Sequence, residues 1–270
     1  MSASLGGLLK DYRLQKNLSQ LEIAFALGWK DTSRLSRIEQ GRVGSPSRKL
    51  IDRLVNAMEL KDEKKNDLLL VGGYLPTESE IKKIRQETND IIVEWPYSAV
   101  IYDFSWRIIH HNKAAIQLYR INDVVEKFII DKHPNLLEIV FDPNFTQNAN
   151  LKGEEINKWH KFLLTFVLRY RYAQRTRTKE KWYTELIQRL MNNELFRTIW
   201  LKTQKTQPLS VYNFGAVTPI INPKDTNKRL SIYFSMVPLL KDPRFELDFD
   251  TPADVATFRY FKKTTISQLS

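Results

Sequence analysis

Within the first 60 residues, apolar side chains recur at helical spacing in short runs, each run closed by a turn residue, and this constrains the fold more than any other feature. Leu5, Leu8, Leu9 and Tyr12 share one helix face. A second helix buries Leu21, Ile23, Ala24 and Leu27 and stops at Gly28; a third starts after Asp31 or Thr32 and ends at Gly41. A fourth opens at Ser45-Pro46-Ser47 and places Leu50, Ile51, Leu54 and Met58 together. Ser19 and Glu22 have the spacing of a capping box, in which the cap side chain and the third-position carboxylate satisfy each other's backbone amides. Gly28 suits a turn that needs positive φ, and Pro46 suits a first helical turn. Ala24 is small enough to let the third helix cross closely. Residues 1–60 are therefore expected to form an all-α domain.

The pieces Lys10-x-x-Arg13, Leu18-Ser19-Gln20, Ile23-Ala24, Leu27-Gly28, Leu35-Ser36-Arg37-Ile38-Glu39-x-Gly41 and Pro46 follow one another in the order of the XRE-type, phage-repressor-like helix-turn-helix domain, which this region resembles. In that arrangement the third helix enters the major groove of DNA. Leu35 and Ile38 fall on its core face, and Thr32, Ser33, Arg34 and Arg37 on the other. The resemblance makes those four the groove-facing residues, with arginine the commonest reader of guanine. It makes Gln20 a phosphate contact and Arg13 with Glu39 an internal salt bridge. Arg42, Ser45 and Ser47, around the following loop, are candidates for backbone contact. The turn Trp29-Lys30-Asp31 is one residue longer than in the shortest members, and Asp31 is an unusual neighbour for phosphate.

Residues 61–90 shift in composition, from polar Lys61–Lys65 through apolar Leu68–Val71 to a Gly72-Gly73 break and a charged helical stretch, and read as a hinge. Residues 91–265 are mixed α and β. Ser98–Tyr102 and Trp106–His111 suggest a hairpin, and Asn112 starts a short helix through Tyr119. Helices are expected at 154–172, 179–191 and 193–202, then strands at Val211–Ile221, Arg229–Val237 and Arg244–Phe249. Alternation of Phe245, Leu247 and Phe249 with charged residues predicts one wet face carrying Asp248 and Asp250. Thr251-Pro252-Ala253-Asp254 reads as a helix start.

The hairpin around Trp106, the segment Asn135–Pro143, the long helix with Trp159 and Leu168-Arg169, and Glu194-Leu195-Phe196-x-x-x-Trp200 resemble, in order, the MmyB-like domain that follows an XRE domain in bacterial regulators. One departure is Asn213-Phe214-Gly215. The resemblance implies a PAS-like α+β fold with a five-stranded antiparallel sheet, and a cavity for an apolar, fatty-acyl-like ligand. Tyr102, Trp106, Phe141, Trp159, Phe162, Phe166, Phe196, Trp200 and Phe234 are the candidate lining; the other reading of each is an ordinary packed core. Arg169 either holds a ligand carboxylate or makes an ion pair.

The net charge of +11 points to a polyanionic partner. Residues 158–205 hold twelve Lys and Arg against three Glu; they contact flanking DNA or form a solvated face. The chain has no cysteine, so thiol chemistry and cysteine metal sites are excluded. His110, His111, His133 and His160 lack metal-ligand spacing, and no catalytic motif is present. The start lacks a signal-peptide pattern, and no apolar run is long enough to cross a bilayer. These features predict a cytoplasmic, nucleoid-associated, homodimeric bacterial regulator that binds double-stranded DNA, with no enzymatic activity and no cofactor other than a possible bound fatty acid. The alternative is a repressor whose C-terminal domain serves only dimerisation or protein contact.

Overall fold

The computed structural model describes residues 4–142, 153–204, 218–221 and 228–269. They form two compact units: one takes in residues up to Thr77 together with Pro238–Phe245, the other the remainder.

The first unit is built from α1 (Leu5–Gln15), α2 (Gln20–Ala26), α3 (Ser33–Glu39), α4 (Arg48–Ala57) and α5 (Asp62–Val71). Its core gathers Leu8, Leu9, Ile23, Leu35, Ile38, Ile51 and Leu54 with Leu68 and Leu69 of α5. Half of the stretch read as a hinge thus belongs to this unit, because Leu68 and Leu69 had an apolar core to enter. Side chains start the helices. Ser19 Oγ accepts from the Glu22 amide at 3.1 Å while Glu22 accepts from the Ser19 amide at 2.6 Å, the reciprocal capping box. Ser47, not Pro46, caps α4, its Oγ accepting from Leu50 N–H at 3.3 Å. Pro46 instead precedes the cap, and its carbonyl accepts from the Tyr74 hydroxyl. Gly6 has no room for a side chain: a Cβ there would run into the carbonyl oxygens of Ile38 and Glu39, so α1 lies backbone-close on α3.

The segment 238–245 adds the tip between two strands, β4 (Arg229–Pro238) and β5 (Phe245–Pro252). Arg244 is fully buried there. It donates Nε to Asp242 Oδ1 at 2.9 Å and a terminal nitrogen to Asp242 Oδ2 at 2.7 Å. Asn66 of α5 accepts from Arg244 at 3.3 Å and donates to Lys241 O at 2.9 Å.

The second unit opens with α6 (Glu78–Glu94), β1 (Ala99–Asp103), β2 (Ile108–His111), α7 (Lys113–Tyr119), α8 (Asp123–Lys132) and α9 (Leu136–Val140). It continues with α10 (Glu154–Ala173), α11 (Lys181–Leu190), α12 (Glu194–Thr203), β3 (Thr218–Ile221) and, after β4 and β5, α13 (Val255–Leu269). The strands order as β2-β1-β5-β4-β3, with β1–β2 and β3–β4 antiparallel. Asp103 closes the first hairpin: Oδ1 accepts from the amides of Ser105 and Arg107, both at 3.0 Å, and Oδ2 pairs with Arg107 at 2.7 Å. Trp106 sits in that turn at φ 71°, a conformation a bulky residue adopts only when its surroundings hold it there. Its indole packs 5.3 Å from Phe166 and 5.2 Å from Tyr170 of α10. The N-terminal part of the third strand expected from residue 211, with Asn213-Phe214-Gly215, lies outside the described residues.

The wet face expected on β5 is corrected. Asp248 is 9% and Asp250 2% exposed, because that face of β5 is covered, with Tyr119 of α7 lying over Asp250. Burial raises both carboxyls, Asp250 to about 7, and Tyr119 Oη donates to Asp250 Oδ2 at 2.9 Å. Between about pH 4 and 7 the fold therefore retains at Asp250 a proton that the unfolded chain has released. Asp250's stabilising contribution is complete below its ordinary value of 3.8 and is lost as the pH rises through about 7. The isosteric Asp250→Asn is expected to stabilise the second unit at pH 8 by a few kcal/mol, on the order of the raised carboxyl's linkage. It should also flatten the fall in urea midpoint between pH 5 and 8. An unchanged slope would show that another group titrates there. The helix start at Thr251 is corrected as well: Thr251 and Pro252 finish β5, and Asp254 is the cap, accepting from Thr257 N–H at 2.7 Å.

Candidate nucleic-acid interface

After α2 the backbone reverses at Gly28, φ 72°, while Trp29 N–H returns to Ala24 O at 2.8 Å. Ala24 is fully buried, which is what a close crossing of α2 by α3 requires. The first turn of α3 is held by Asp31, whose Oδ1 accepts from Ser33 N–H at 2.8 Å. That bond keeps the carboxyl below its usual range. Asp31 thus stands one residue before Thr32, the N-cap, and holds the first amide of the helix.

On α3, Leu35 and Ile38 are buried, and Ser33, Arg34 and Arg37 are exposed on the opposite side; Thr32, the residue before the helix, is half-buried. The guanidinium of Arg34 lies 4.8 Å from the centre of the Trp29 ring. A planar cation on an aromatic face loses freedom before any partner arrives. Trp29 is half-buried and anchored against the core, so this stack fixes Arg34 relative to the unit. Sequence spacing does not show the pairing, since the two residues face each other only because the turn folds back.

Beneath α3, Arg13 Nε donates to Glu39 Oε1 at 2.6 Å and a terminal nitrogen donates to Oε2 at 2.9 Å. A third donor of Arg13 reaches Leu18 O at 2.7 Å. Gln20 joins the network, its Nε2 donating to Glu39 Oε2 at 2.8 Å. An amide nitrogen carries two hydrogens, so one N–H of Gln20 stays available for a phosphate oxygen. Arg42 and Ser45 are exposed in the loop from α3 to α4, and Ser47, at the loop's end, keeps its hydroxyl hydrogen while its oxygen caps α4. The eight residues expected to meet DNA thus lie on α2, on α3 and the residue that precedes it, and in the loop between α3 and α4, all within the first unit.

The residues expected to hold an apolar ligand are spread over three clusters. Phe141, Phe196 and Trp200 are buried with Trp106, Trp159, Phe162 and Phe166 packed against them. Tyr102 belongs to a second cluster and Phe234 to a third. Arg169 is exposed on α10. Several cations of 158–205 serve local contacts: Arg171 binds Thr203 at 2.7 Å over the Trp200 ring, Arg175 covers Tyr172 and Arg189 pairs with Glu138 at 2.9 Å. The side chain of Lys158 and residue Lys205 lie outside the described residues. Among the described residues, no group of three or more His, Asp or Glu side chains is placed to hold a metal ion, and no helix is long and apolar enough to cross a membrane.

A family model described as a helix-turn-helix domain matches residues 4–68, which spans α1 to most of α5. No curated protein matches the chain. The match supports a DNA-binding regulator, and it covers the eight residues of the interface just described.

Proposed function

We propose that the chain is a sequence-specific, double-stranded-DNA-binding transcriptional regulator that acts as a homodimer in the bacterial cytoplasm, by binding and not by catalysis. The observation that carries this reading is the exposed row of Ser33, Arg34 and Arg37 on a helix whose other face is locked into the core. Arg34 and Arg37 read base edges, Thr32 and Ser33 make shorter contacts, and Gln20, Arg42, Ser45 and Ser47 hold the phosphates. A dimer sets two such helices about one DNA turn apart. The C-terminal unit is a PAS-like, MmyB-like sensor for an apolar, fatty-acyl-like ligand. That ligand acts only if it binds one dimer arrangement better than the other. The ring contacts Phe141–Phe196 at 5.0 Å and Phe196–Trp200 at 5.4 Å favour a second reading, in which this unit has a filled core and mediates protein contact alone.

Selection of bound fragments from a random DNA pool, with and without a long-chain fatty acid, tests both levels. A single enriched motif with inverted symmetry is expected, and a change in its affinity or half-site spacing with the acid supports the sensor. Enrichment of no motif removes sequence-specific binding. An enriched motif indifferent to the acid leaves the second reading.

A further inference from the structure

Away from the aromatic clusters, α6, β2 and α8 enclose a groove of about 740 Å³, which continues into a recess of about 200 Å³. Arg85, His110 and Ile130 line both. Arg85 is half-buried at this junction and has no carboxylate or carbonyl partner among the described residues. Its guanidinium nitrogens stay open to solvent, so its five donors are available to an incoming anion. Beside it, Nε2 of His110 is buried and has no hydrogen-bond partner among the described residues.

Burial, with the charge of Arg85 and the neighbouring His111 ring, pushes His110 down to about 4, so its ring is neutral near pH 7 and offers one N–H. Burial also lowers His133, whose Nδ1 lies 3.2 Å from Ile108 O. A carbonyl only accepts, so that nitrogen carries the hydrogen. Three carboxylates of the groove, Glu78, Asp90 and Asp131, are exposed, Asp131 being engaged by Lys127 at 2.8 Å, while Glu126, half-buried like Arg85, lines the recess. Ile81 and Ile130 give the groove its apolar wall.

We propose that this groove binds a small oxyanion-bearing molecule, a carboxylate or a phosphate ester, whose anionic group lies on Arg85 and accepts from His110 while its short body rests on Ile81 and Ile130. A planar two-pronged donor matches both oxyanions, and the volume is that of a small-molecule site. The site shares no residue with the DNA-facing row or with the aromatic clusters, so it stands whether or not those readings do.

Sodium phosphate and sodium butyrate are titrated separately into the full-length chain at constant ionic strength, with chloride as reference, and the histidine ring signals are followed by NMR. One or both probes should shift His110 and His133 saturably and leave His160 in place. Phosphate alone assigns an ester, butyrate alone a carboxylate. Arg85→Gln should weaken the affinity at least about tenfold with an unchanged far-UV circular dichroism spectrum, as loss of a charge-assisted pair requires. If that variant does not fold, His110→Gln is read the same way. Saturation by neither probe, or wild-type affinity in the folded variant, overturns the site.

Discussion

An Arg34→Ala, Arg37→Ala double variant is expected to lose roughly two to four orders of magnitude in operator affinity, since each two-pronged arginine–guanine contact carries about 1–3 kcal/mol of discrimination. The fold should not change. Both side chains are exposed, and the core face of α3 is made by Leu35 and Ile38. The expected pattern therefore separates two kinds of loss. The double variant should keep its far-UV spectrum and its weak, salt-dependent hold on random DNA while preference for the operator collapses. Arg42→Ala, by contrast, should weaken all sequences about equally. Gel-shift titrations against operator and scrambled DNA at two salt concentrations measure this, and an operator-to-scrambled ratio equal to that of wild type would remove Arg34 and Arg37 as base readers.

Glu39→Ala should act through the opposite route, on stability. Glu39 receives two donors from Arg13 and one from Gln20, and its removal leaves a buried guanidinium with only Leu18 O. Breaking one side of such a pair costs about 3–5 kcal/mol. For a unit of this size, that is a fall in Tm of roughly 12–40 °C. Replacing both partners by apolar residues, Arg13→Met with Glu39→Leu, should restore most of the loss, because the cost lies in the orphaned charge and not in a missing attraction. Urea titrations of the two variants decide it. A Glu39→Ala loss below about 1 kcal/mol would place water beside Arg13 and make the pair a surface one.

The helix-turn-helix was legible because its signals are local or close to it. The Ser19–Glu22 box, the Gly28 reversal and the Leu35–Ile38 spacing are each readable within four residues, and Arg13 with Glu39 followed from the resemblance. What stayed hidden depends on chain segments that meet only in three dimensions. Gly6 looks like any small residue until α3 is laid on it. Trp29 holds Arg34 across a turn, and Asp31, which looked misplaced beside phosphate, holds the Ser33 amide. Alternation along β5 was visible, but its physical meaning depended on what packs on each face. Tyr119 of α7 lies over Asp250, so the face that alternation marked as wet is a buried one. Helix α8 escaped notice because Val124, Phe128 and Ile130 are exposed, so its apolar residues do not mark an inward face. The groove residues were likewise scattered over α6, β2 and α8, with no spacing to connect them.

The Arg244 knot bears on how the molecule is made and dissected. Asn66 meets Lys241 across 175 positions of chain, so a ribosome has released the five N-terminal helices long before their last tie exists. A clone that stops at Thr77 would carry the whole DNA-facing row yet leave Asn66 without either partner. Affinities obtained from such a fragment would describe a looser scaffold than the one the complete polypeptide presents.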